Sequence, residues 1–352
     1  MTATMPNPLQ LAASDRVLVF APHPDDESIA CAGLLLAARV AGATRSVVVV
    51  TDGDNNPWPQ RWIEKRWRID AAARTRWGAR RRAEACAALD ILGVDPTERH
   101  FLGLPDSGLT ALLMRDGLSN RLRAQIERFR PTHIALPALR DRHPDHSAVH
   151  VAARLALASN AQTRLFTYAI HGGDDGAHDA VVRLDEAARA DKRAAILEHE
   201  TQIRLSRGRF LRFAAQAEYF DNLATGPRAD HPLRAWVGDG EVVLRLTHAG
   251  LRDATRALRV FAVIDTQAGE CLRLVLPLGE PGGEVAVDAA QSQALSSSRW
   301  GAEDGALVLR LPVSAVAGRA FFKLDRRRTG LVIYDRYGWQ LGDDRNAHLG
   351  KV

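Results

Sequence analysis

The chain has 352 residues, 46% hydrophobic and 25% charged, which gives enough length for two globular domains and excludes a disordered or fibrous protein. No stretch reaches the about 18 apolar residues of a membrane span, and the N-terminus lacks the pattern of a secretory signal, so we predict an unexported, cytoplasmic protein. The three cysteines form no Cys-x-x-Cys pair, which excludes a disulfide framework, and a net charge of +5 does not by itself indicate a nucleic-acid partner.

In the N-terminal part of the chain, short β-branched runs alternate with longer helical patterns. Strands are predicted at residues 17–21, 46–53, 98–104, 132–138 and 163–170. Helices are predicted at residues 27–40, 81–92, 112–129, 147–159 and 186–203. Near-continuous apolar strands that alternate with helices are typical of parallel sheets covered on both faces. The pattern therefore predicts an α/β fold, a Rossmann-like three-layer αβα unit with a mainly parallel sheet.

After Gly226, Pro227 and Pro232 the pattern changes to short alternating strands separated by Gly, Pro or Asp. These strands are EVVLRL, LRVFAVI, CLRLVLPL, GEVAVDA, ALVLRLP, AFFKLD and GLVIYD. They predict a C-terminal β-rich, sandwich-like domain. We therefore expect two domains, residues 1–230 and residues 231–352. The second could bind carbohydrate, form a homo-oligomer or line the active site.

A cluster of polar residues, Pro22-His23-Pro24-Asp25-Asp26-Glu27, directly follows the first predicted strand. Open α/β sheets bind their ligands at the carboxyl ends of the strands, which is the position of this cluster. Taken alone, it could also be an ordinary helix start, because carboxylates there complement the helix dipole.

A second cluster, Asp141-Arg142-His143-Pro144-Asp145-His146, follows the strand THIALPA. Two such clusters at the ends of two strands in one sheet supply two histidines and a carboxylate. That is the ligand set of a hydrolytic zinc ion with one open coordination position. The pair of clusters therefore favours a metal site over two unrelated helix starts.

Together the two clusters resemble the PIG-L (LmbE-like) family of zinc-dependent N-acetylglucosamine-type deacetylases, whose motifs read (A/P)-H-P-D-D-E and H-P-D-H. The resemblance extends over roughly residues 15 to 205 and includes Thr51-Asp52-Gly53, Arg81-x-x-Glu84 and Leu104-Pro105-Asp106-Ser107-Gly108. The resemblance implies that His23, Asp26 and His146 are the zinc ligands. It also implies that Asp25 is the general base and that His143 is the electrostatic partner of the reaction intermediate.

Three further residues are candidates for the site. Asp145 could orient an imidazole, or it could be a plain helix-start aspartate. Arg81 and Asp106 match positions that contact the sugar in the family, and both types of side chain form strong charge-assisted hydrogen bonds. Alternatively, Arg81 could pair with Glu84 on its helix, and Asp106 could be a turn residue. His171 and His199 are not included in the predicted site.

The segment from Trp58 to Arg82 carries four tryptophans interleaved with many basic residues. Because it follows a strand, we expect it to overhang the site as a lid. Tryptophans stack on sugars and arginines bind phosphates, so the segment could bind an anionic glycoconjugate. Alternatively, the tryptophans pack the segment onto the domain while the arginines remain solvated.

The sequence thus predicts a hydrolase that removes an N-acetyl group from an N-acetylhexosamine-containing glycoconjugate or polysaccharide precursor. Zn²⁺ is the expected cofactor, and Fe²⁺ or Co²⁺ would suit the same ligands. A nucleotide-dependent oxidoreductase is excluded because the Gly-x-Gly-x-x-Gly turn is missing after the first strand. The alternative is a non-catalytic sugar or nucleic-acid binding protein on the same fold, which would leave Asp25 without a role.

Overall fold

The structure is a computed structural model that describes residues 6–157, 162–172, 178–215, 217–223, 231–238, 240–247, 258–266, 271–278, 298, 300–312, 316–326, 334–335 and 337–344. The chain divides into two compact units, unit 1 (Met1–Ala224) and unit 2 (Thr225–Val352). Among the described residues, no helix combines the length and the apolar character needed to cross a membrane.

Unit 1 alternates strands and helices. Its strands are β1 (Asn7–Pro8), β2 (Arg16–Ala21), β3 (Thr44–Thr51), β4 (Arg99–Leu104), β5 (His133–Pro137), β6 (Arg164–Tyr168), β7 (Ala180–Val182) and β8 (Glu218–Phe220). Its helices are α1 (Asp26–Ala30), α2 (Ala32–Val40), α3 (Pro57–Glu64), α4 (Ala71–Ile91), α5 (Leu109–Leu113), α6 (Gly117–Phe129), α7 (Pro144–Ala156), α8 (Glu186–Glu198) and α9 (Glu200–Ala215).

Five parallel strands form the main sheet of unit 1, in the order β4-β3-β2-β5-β6. The central strand β2 is apolar on both faces, and Val17, Leu18, Val19 and Phe20 are fully buried. A strand with no polar face must be covered on both sides, which accounts for the helices between the strands. The five strands predicted from the sequence are confirmed, as is the mixed α/β class.

The helices differ from the prediction at their ends, and those predicted at 27–40, 112–129 and 186–203 are each interrupted. The helix predicted at 27–40 is two helices, α1 and α2, which meet at Cys31. Helix α4 begins ten residues earlier than predicted (71 rather than 81), because the Asp70 side chain accepts a hydrogen bond from Ala73 N at 2.8 Å and caps it. The helix predicted at 112–129 is likewise divided, into α5 and α6.

A second, small sheet of unit 1 contains β1, β7 and β8, with β1 parallel and β8 antiparallel to β7. Glu218 of β8 accepts hydrogen bonds from Gly33 N at 2.7 Å and Leu34 N at 2.9 Å. These two backbone N–H groups belong to the first turn of α2, which has no intrahelical partners for them. The small sheet therefore caps α2 from a distant part of the chain.

Unit 2 contains two sheets. Its strands are β9 (Leu233–Gly238), β10 (Glu241–Thr247), β11 (Leu258–Thr266), β12 (Cys271–Pro277), β13 (Trp300–Glu303), β14 (Ala306–Pro312), β15 (Val316–Arg326), β16 (Trp339–Leu341) and β17 (Asp343–Asp344). One sheet has the order β13-β14-β10-β9-β17, and the other has the order β12-β11-β15-β16. All described pairs are antiparallel except β17 with β9. Leu244, Ile264 and Phe322 belong to one core that draws on both sheets. The predicted strand GEVAVDA and most of GLVIYD lie outside the described residues.

Candidate metal centre and active site

The polar residues of unit 1 gather at the carboxyl ends of the five parallel strands. His23 follows β2, Asp52 follows β3, Asp106 follows β4, Asp141 follows β5 and His171 follows β6. Parallel strands all end at the same edge of a sheet, so this arrangement brings distant parts of the sequence together.

The three predicted metal ligands lie side by side. The Asp26 Oδ2 atom is 3.3 Å from His23 Nδ1 and 3.2 Å from His146 Nε2. The same oxygen accepts a hydrogen bond from His23 N at 2.8 Å, which fixes the carboxylate toward both rings. His23, Asp26 and His146 expose 7%, 2% and 0% of their surface. One buried carboxylate oxygen therefore touches two imidazoles.

His143 lies close to the same rings. Its centroid is 4.5 Å from that of His23 and 5.1 Å from that of His146. His23, His143 and His146 each offer a potential ligand atom, and these three atoms lie within 4.8 Å of one another. Two further groups with the same property are Asp141, His146 and His171, and His23, Asp106 and Asp145. Asp26 and His143 are thus competing candidates for the third ligand beside the two histidines.

The electrostatics of this centre fit a bound cation. Burial lowers the pKa of His146, but the carboxylates of Asp141 and Asp26 outweigh it and raise that pKa to about 10. A negative field that holds a proton on a buried imidazole would equally favour a metal ion there. His23 Nε2 and both ring nitrogens of His146 are buried, and each lies 3.1–3.4 Å from a carboxylate oxygen. Two imidazoles and a carboxylate also match the donor set of a zinc ion.

Asp25 is held in an unusual backbone conformation, with φ 127° and ψ −28°. A non-glycine residue at this positive φ is strained, and such strain persists only where the surroundings enforce it. Asp25 N donates to Glu27 Oε2 at 3.0 Å, and Asp25 Oδ2 lies 3.3 Å from Arg81 Nη2. Burial raises the pKa of Asp25 to about 6, against the opposing charge of Arg81 and with a further increase from Asp26.

Arg81 is buried on α4 and holds the backbone around Asp25. Its Nη1 donates to Gly53 O at 2.8 Å and its Nη2 donates to Pro24 O at 2.6 Å. Gly53 has φ 59°, and a Cβ at this position would collide with the guanidinium of Arg81. Substrate binding by Arg81 stays a prediction. These contacts indicate that Arg81 also positions Asp25.

Asp106 is also buried, and its Oδ1 lies 3.4 Å from His23 Nε2. Its Oδ2 accepts a hydrogen bond from Asn55 N at 2.9 Å, while its backbone carbonyl accepts from Asn55 Nδ2 at 3.2 Å. Although burial opposes ionisation, hydrogen bonding to His23 and the charge of His23 hold the pKa of Asp106 well below its usual range. Asp106 therefore joins the loop after β3 to the edge of the candidate metal centre.

The two aspartates of the second cluster have different partners. Asp145 accepts hydrogen bonds from Ser107 N at 2.6 Å and Leu109 N at 3.1 Å, and its Oδ2 lies 3.5 Å from His23 Nε2. Asp141, to which the sequence analysis gave no role, lies 3.1 Å from His146 Nδ1. The only sequence signal for Asp141 was its place two residues before His143. Asp141, and not Asp145, is therefore the carboxylate of this cluster that contacts His146.

Two histidines left out of the predicted site lie close to it. The ring centroid of His171 is 5.0 Å from that of His146 and 5.5 Å from that of His143. His199 Nε2 lies 3.1 Å from Glu27 Oε1 and 3.0 Å from Ser28 Oγ. Both come from later parts of the chain, and although His199 matches a position of the family, the sequence does not show that either ring lies near the two clusters.

The segment rich in tryptophan and arginine divides into two parts. Trp77 on α4 is 1% exposed and packs in the interior. Trp58, Trp62 and Trp67 are 60%, 70% and 84% exposed. The packing alternative therefore holds for Trp77, whereas the other three indoles face solvent.

Comparison with solved structures finds similar chains. The conserved protein TT1542 from Thermus thermophilus is 28% identical with a TM-score of 0.45, and the match covers 60% of this chain and 96% of that one. The N,N'-diacetylchitobiose deacetylase from Pyrococcus horikoshii is 20% identical with a TM-score of 0.46, covering 62% and 88% of the two chains.

Comparison of sequences relates the chain to a family of deacetylases. The sequence profile of PIG-L, described as GlcNAc-PI de-N-acetylase, matches residues 18–157, which include both His/Asp clusters. The 1D-myo-inositol 2-acetamido-2-deoxy-α-D-glucopyranoside deacetylase of Nakamurella multipartita is 30% identical in a match 270 positions long, which covers 60% of this chain and 90% of that protein. Since the match covers nearly the whole length of a curated deacetylase and the profile covers both clusters, the chain belongs to the PIG-L family.

Proposed function

We propose that this protein is a metal-dependent hydrolase that removes the N-acetyl group from an N-acetylglucosamine-type sugar. The observation that carries the proposal is the contact of Asp26 Oδ2 with both His23 and His146, beside the buried carboxylate of Asp25. The related deacetylase acts on an N-acetylglucosaminyl inositol, so a sugar conjugate of this kind is the first substrate to test. The predicted anionic group on the substrate and the cytoplasmic location stay predictions.

We assign the metal to His23, His146 and Asp26. Asp26 is preferred to His143 as third ligand because its oxygen is within 3.3 Å of both rings. Zn²⁺ bound there would make water a better nucleophile at neutral pH and polarise the acetyl carbonyl, and Fe²⁺ or Co²⁺ would suit the same donors. Asp141 holds His146 through its Nδ1 atom, which leaves Nε2 directed at Asp26.

Asp25 is the proposed general base. Its pKa of about 6 lies closer to neutrality than that of an ordinary aspartate, which makes it a better proton acceptor. In the proposed reaction Asp25 removes a proton from the attacking water as the oxygen bonds to the acetyl carbon. When the C–N bond breaks, Asp25 returns the proton to the leaving amine, and the products are acetate and the free amino sugar.

His143 is the proposed donor to the developing oxyanion. Its Nδ1 accepts a hydrogen bond from Asp145 N at 3.3 Å, so a neutral His143 carries its proton on Nε2. Burial and the charges of His23 and His146 hold the pKa of His143 well below its usual range. We therefore propose that His143 acts as a neutral hydrogen-bond donor, with Asp145 fixing its tautomer through the backbone.

The fold and domain assignments belong to this proposal. The order β4-β3-β2-β5-β6, with helices between successive strands, supports a Rossmann-like αβα unit. We assign residues 1–230 to the deacetylase domain and residues 231–352 to a sandwich-like domain. The shared core of the two sheets supports the second assignment.

The test combines metal content, measured by plasma mass spectrometry, with acetate release from N-acetylglucosaminyl inositol. We expect about one metal per chain in the wild type, lost together with activity in His146→Ala and Asp26→Ala. Asp25→Asn should keep the metal but lose at least about 100-fold in kcat, as expected on removal of a general base. His143→Ala should also keep the metal, and His143→Gln, which retains an N–H donor, should recover part of the activity.

Each part of the assignment can fail separately. A His143→Ala variant that loses the metal would make His143 the third ligand in place of Asp26. A folded wild type that takes up no metal would contradict the hydrolase proposal and favour the non-catalytic binding protein.

A further inference from the structure

Three exposed indoles and three exposed cations lie on α3 and the loop that follows it. This Trp patch consists of Trp58, Trp62, Lys65, Arg66, Trp67 and Arg68. Indoles are large apolar groups that proteins usually bury, and a concentration of them at the surface marks an interaction site. The patch is therefore a surface that a partner should cover.

Contacts of Arg61 join the helical part of the Trp patch to its loop part. Trp58 and Trp62 are four residues apart on α3 and so lie on the same face of the helix. The Arg61 guanidinium carbon lies 5.1 Å from the centroid of the Trp58 ring, and Arg61 Nε donates to Trp67 O at 2.9 Å. Arg61 thus joins the helix to the loop that carries Trp67.

The charges of the patch differ from those of the neighbouring helix α4. Three arginines of α4 each form an ion pair with a carboxylate. The pairs are Arg74 with Asp54 at 3.2 Å, Arg76 with Glu64 at 3.4 Å and Arg80 with Glu84 at 3.2 Å. Lys65, Arg66 and Arg68 are exposed and have no carboxylate partner in the part of the chain that the structure describes. The positive charge of the patch is uncompensated, which favours an anionic partner.

The patch begins next to the candidate active site. Asn55, three residues before Trp58, is hydrogen-bonded to Asp106, and Asp106 lies 3.4 Å from His23. The chain therefore enters the Trp patch directly after a residue that is bonded to the candidate active site.

We propose that the Trp patch docks onto a bilayer surface that contains anionic phospholipids. Indoles concentrate at the headgroup level of membranes, and lysines and arginines are attracted to anionic headgroups. A sugar-binding surface would instead place carboxylates and amides around its aromatic rings. Here Glu64 is paired with Arg76, and Asp70 caps α4 through Ala73 N. Docking requires no turnover and so goes beyond the proposed hydrolysis.

The test is flotation of the full-length protein with vesicles of phosphatidylcholine, alone or with about a third of phosphatidylglycerol. The wild type should bind the anionic vesicles and not the neutral ones. Lys65→Gln/Arg66→Gln/Arg68→Gln should bind about 100-fold more weakly, since each cation near an anionic surface contributes about a five-fold gain. Trp62→Ala/Trp67→Ala should also weaken binding.

A matched control separates the patch from general charge. Arg183→Gln/Arg189→Gln/Arg207→Gln removes three exposed cations elsewhere in unit 1 and should bind nearly as the wild type does. The proposal is overturned if the wild type does not bind anionic vesicles at low salt. It is also overturned if the two triple variants lose vesicle binding to the same extent. Binding of an oligonucleotide through the patch, without binding of vesicles, would assign the patch to a soluble polyanion and overturn the membrane proposal.

Discussion

At the scale of single residues, the Asp141 carboxylate holds the loops that carry the histidines of the candidate site. Asp141 contacts His146 and accepts hydrogen bonds from the backbone N–H groups of His143, Ile170 and His171. It therefore joins the loops after β5 and β6 around one buried charge. Asp145 in the same cluster bonds the loop after β4 instead.

Asp141→Asn keeps the size of the side chain but removes the charge that holds His146. We expect metal affinity, measured by competition with a chelator, to fall by about 10- to 100-fold, as on loss of other carboxylates that orient metal-ligating histidines. Asp145→Asn is the matched control and should lower the affinity less, because its carboxylate bonds Ser107 N and Leu109 N and lies farther from a proposed ligand, 3.5 Å from His23 Nε2. Equal losses in the two variants would contradict the role given to Asp141.

Gly53→Ala tests the contact between Arg81 and the loop after β3. The new Cβ has to displace the Arg81 guanidinium and also adopt a positive φ, so we expect a loss of about 1–3 kcal/mol in the free energy of unfolding, measured with urea. Gly42→Ala, at φ 74°, places its Cβ at an ordinary 3.5 Å from Ala13 and should show only the backbone cost. The same loss at both positions would mean that Arg81 moves aside freely.

We predict that the buried His150 makes the folded protein less stable in acid. It is buried on α7, its Nδ1 donates to Pro137 O at 2.8 Å, and burial lowers its pKa to about 3. The unfolded chain binds a proton at His150 below about pH 6.5 while the folded chain does not. The free energy of unfolding should therefore decrease by up to about 1.4 kcal/mol per pH unit as the pH falls from about 6.5 to about 3.

Urea unfolding of the wild type and His150→Asn, at about pH 7 and about pH 5, measures this effect. The wild type should lose more stability than the variant between the two values. An equal loss would place the acid sensitivity on other groups.

At the scale of elements, a buried ion pair joins α2, α8 and β8. Lys192 Nζ donates to Glu218 Oε1 at 2.7 Å, and the same carboxylate caps the first turn of α2. Lys192 and Glu218 are 1% and 4% exposed. The pair therefore fixes the first turn of α2, which follows α1 and the cluster that contains His23 and Asp26.

Glu218→Gln leaves the Lys192 charge buried and unpaired. Breaking a buried pair in this way costs about 3–5 kcal/mol, which urea unfolding should detect. Glu218→Gln/Lys192→Met removes both charges and should be less destabilised than the sum of the two single variants. Additive losses would mean that the two side chains do not interact.

At the scale of the whole molecule, every candidate site residue lies in unit 1. The five strand ends that supply the site all belong to one sheet of that unit. Unit 2 has its own core, built from both of its sheets. The two units are therefore expected to fold separately.

A chain truncated after residue 224 should fold and bind about one metal, as judged by circular dichroism and plasma mass spectrometry. Full acetate release by the truncated protein would exclude unit 2 as a wall of the active site. A folded truncated protein that binds no metal would contradict the assignment of the whole metal centre to unit 1.

The sequence by itself determined the parallel strands, the change to β structure after residue 230 and the two His/Asp clusters. These features are local: an apolar run specifies a buried strand, and a cluster directly after a strand lies at the edge of the sheet where ligands bind. Helix ends were predicted less well, because they depend on caps such as Asp70 and on the break at Cys31.

Only the tertiary structure decided which polar side chains touch. Asp141 rather than Asp145 contacts His146, His199 reaches Glu27 from the N-terminal boundary of α9, and Glu218 caps α2 across 185 residues of sequence. No local pattern encodes such pairs, because the order of strands in the sheet and the packing of helices on it bring them together. The sequence therefore predicted which types of side chain form the candidate site, whereas the tertiary structure determines which of them contact each other.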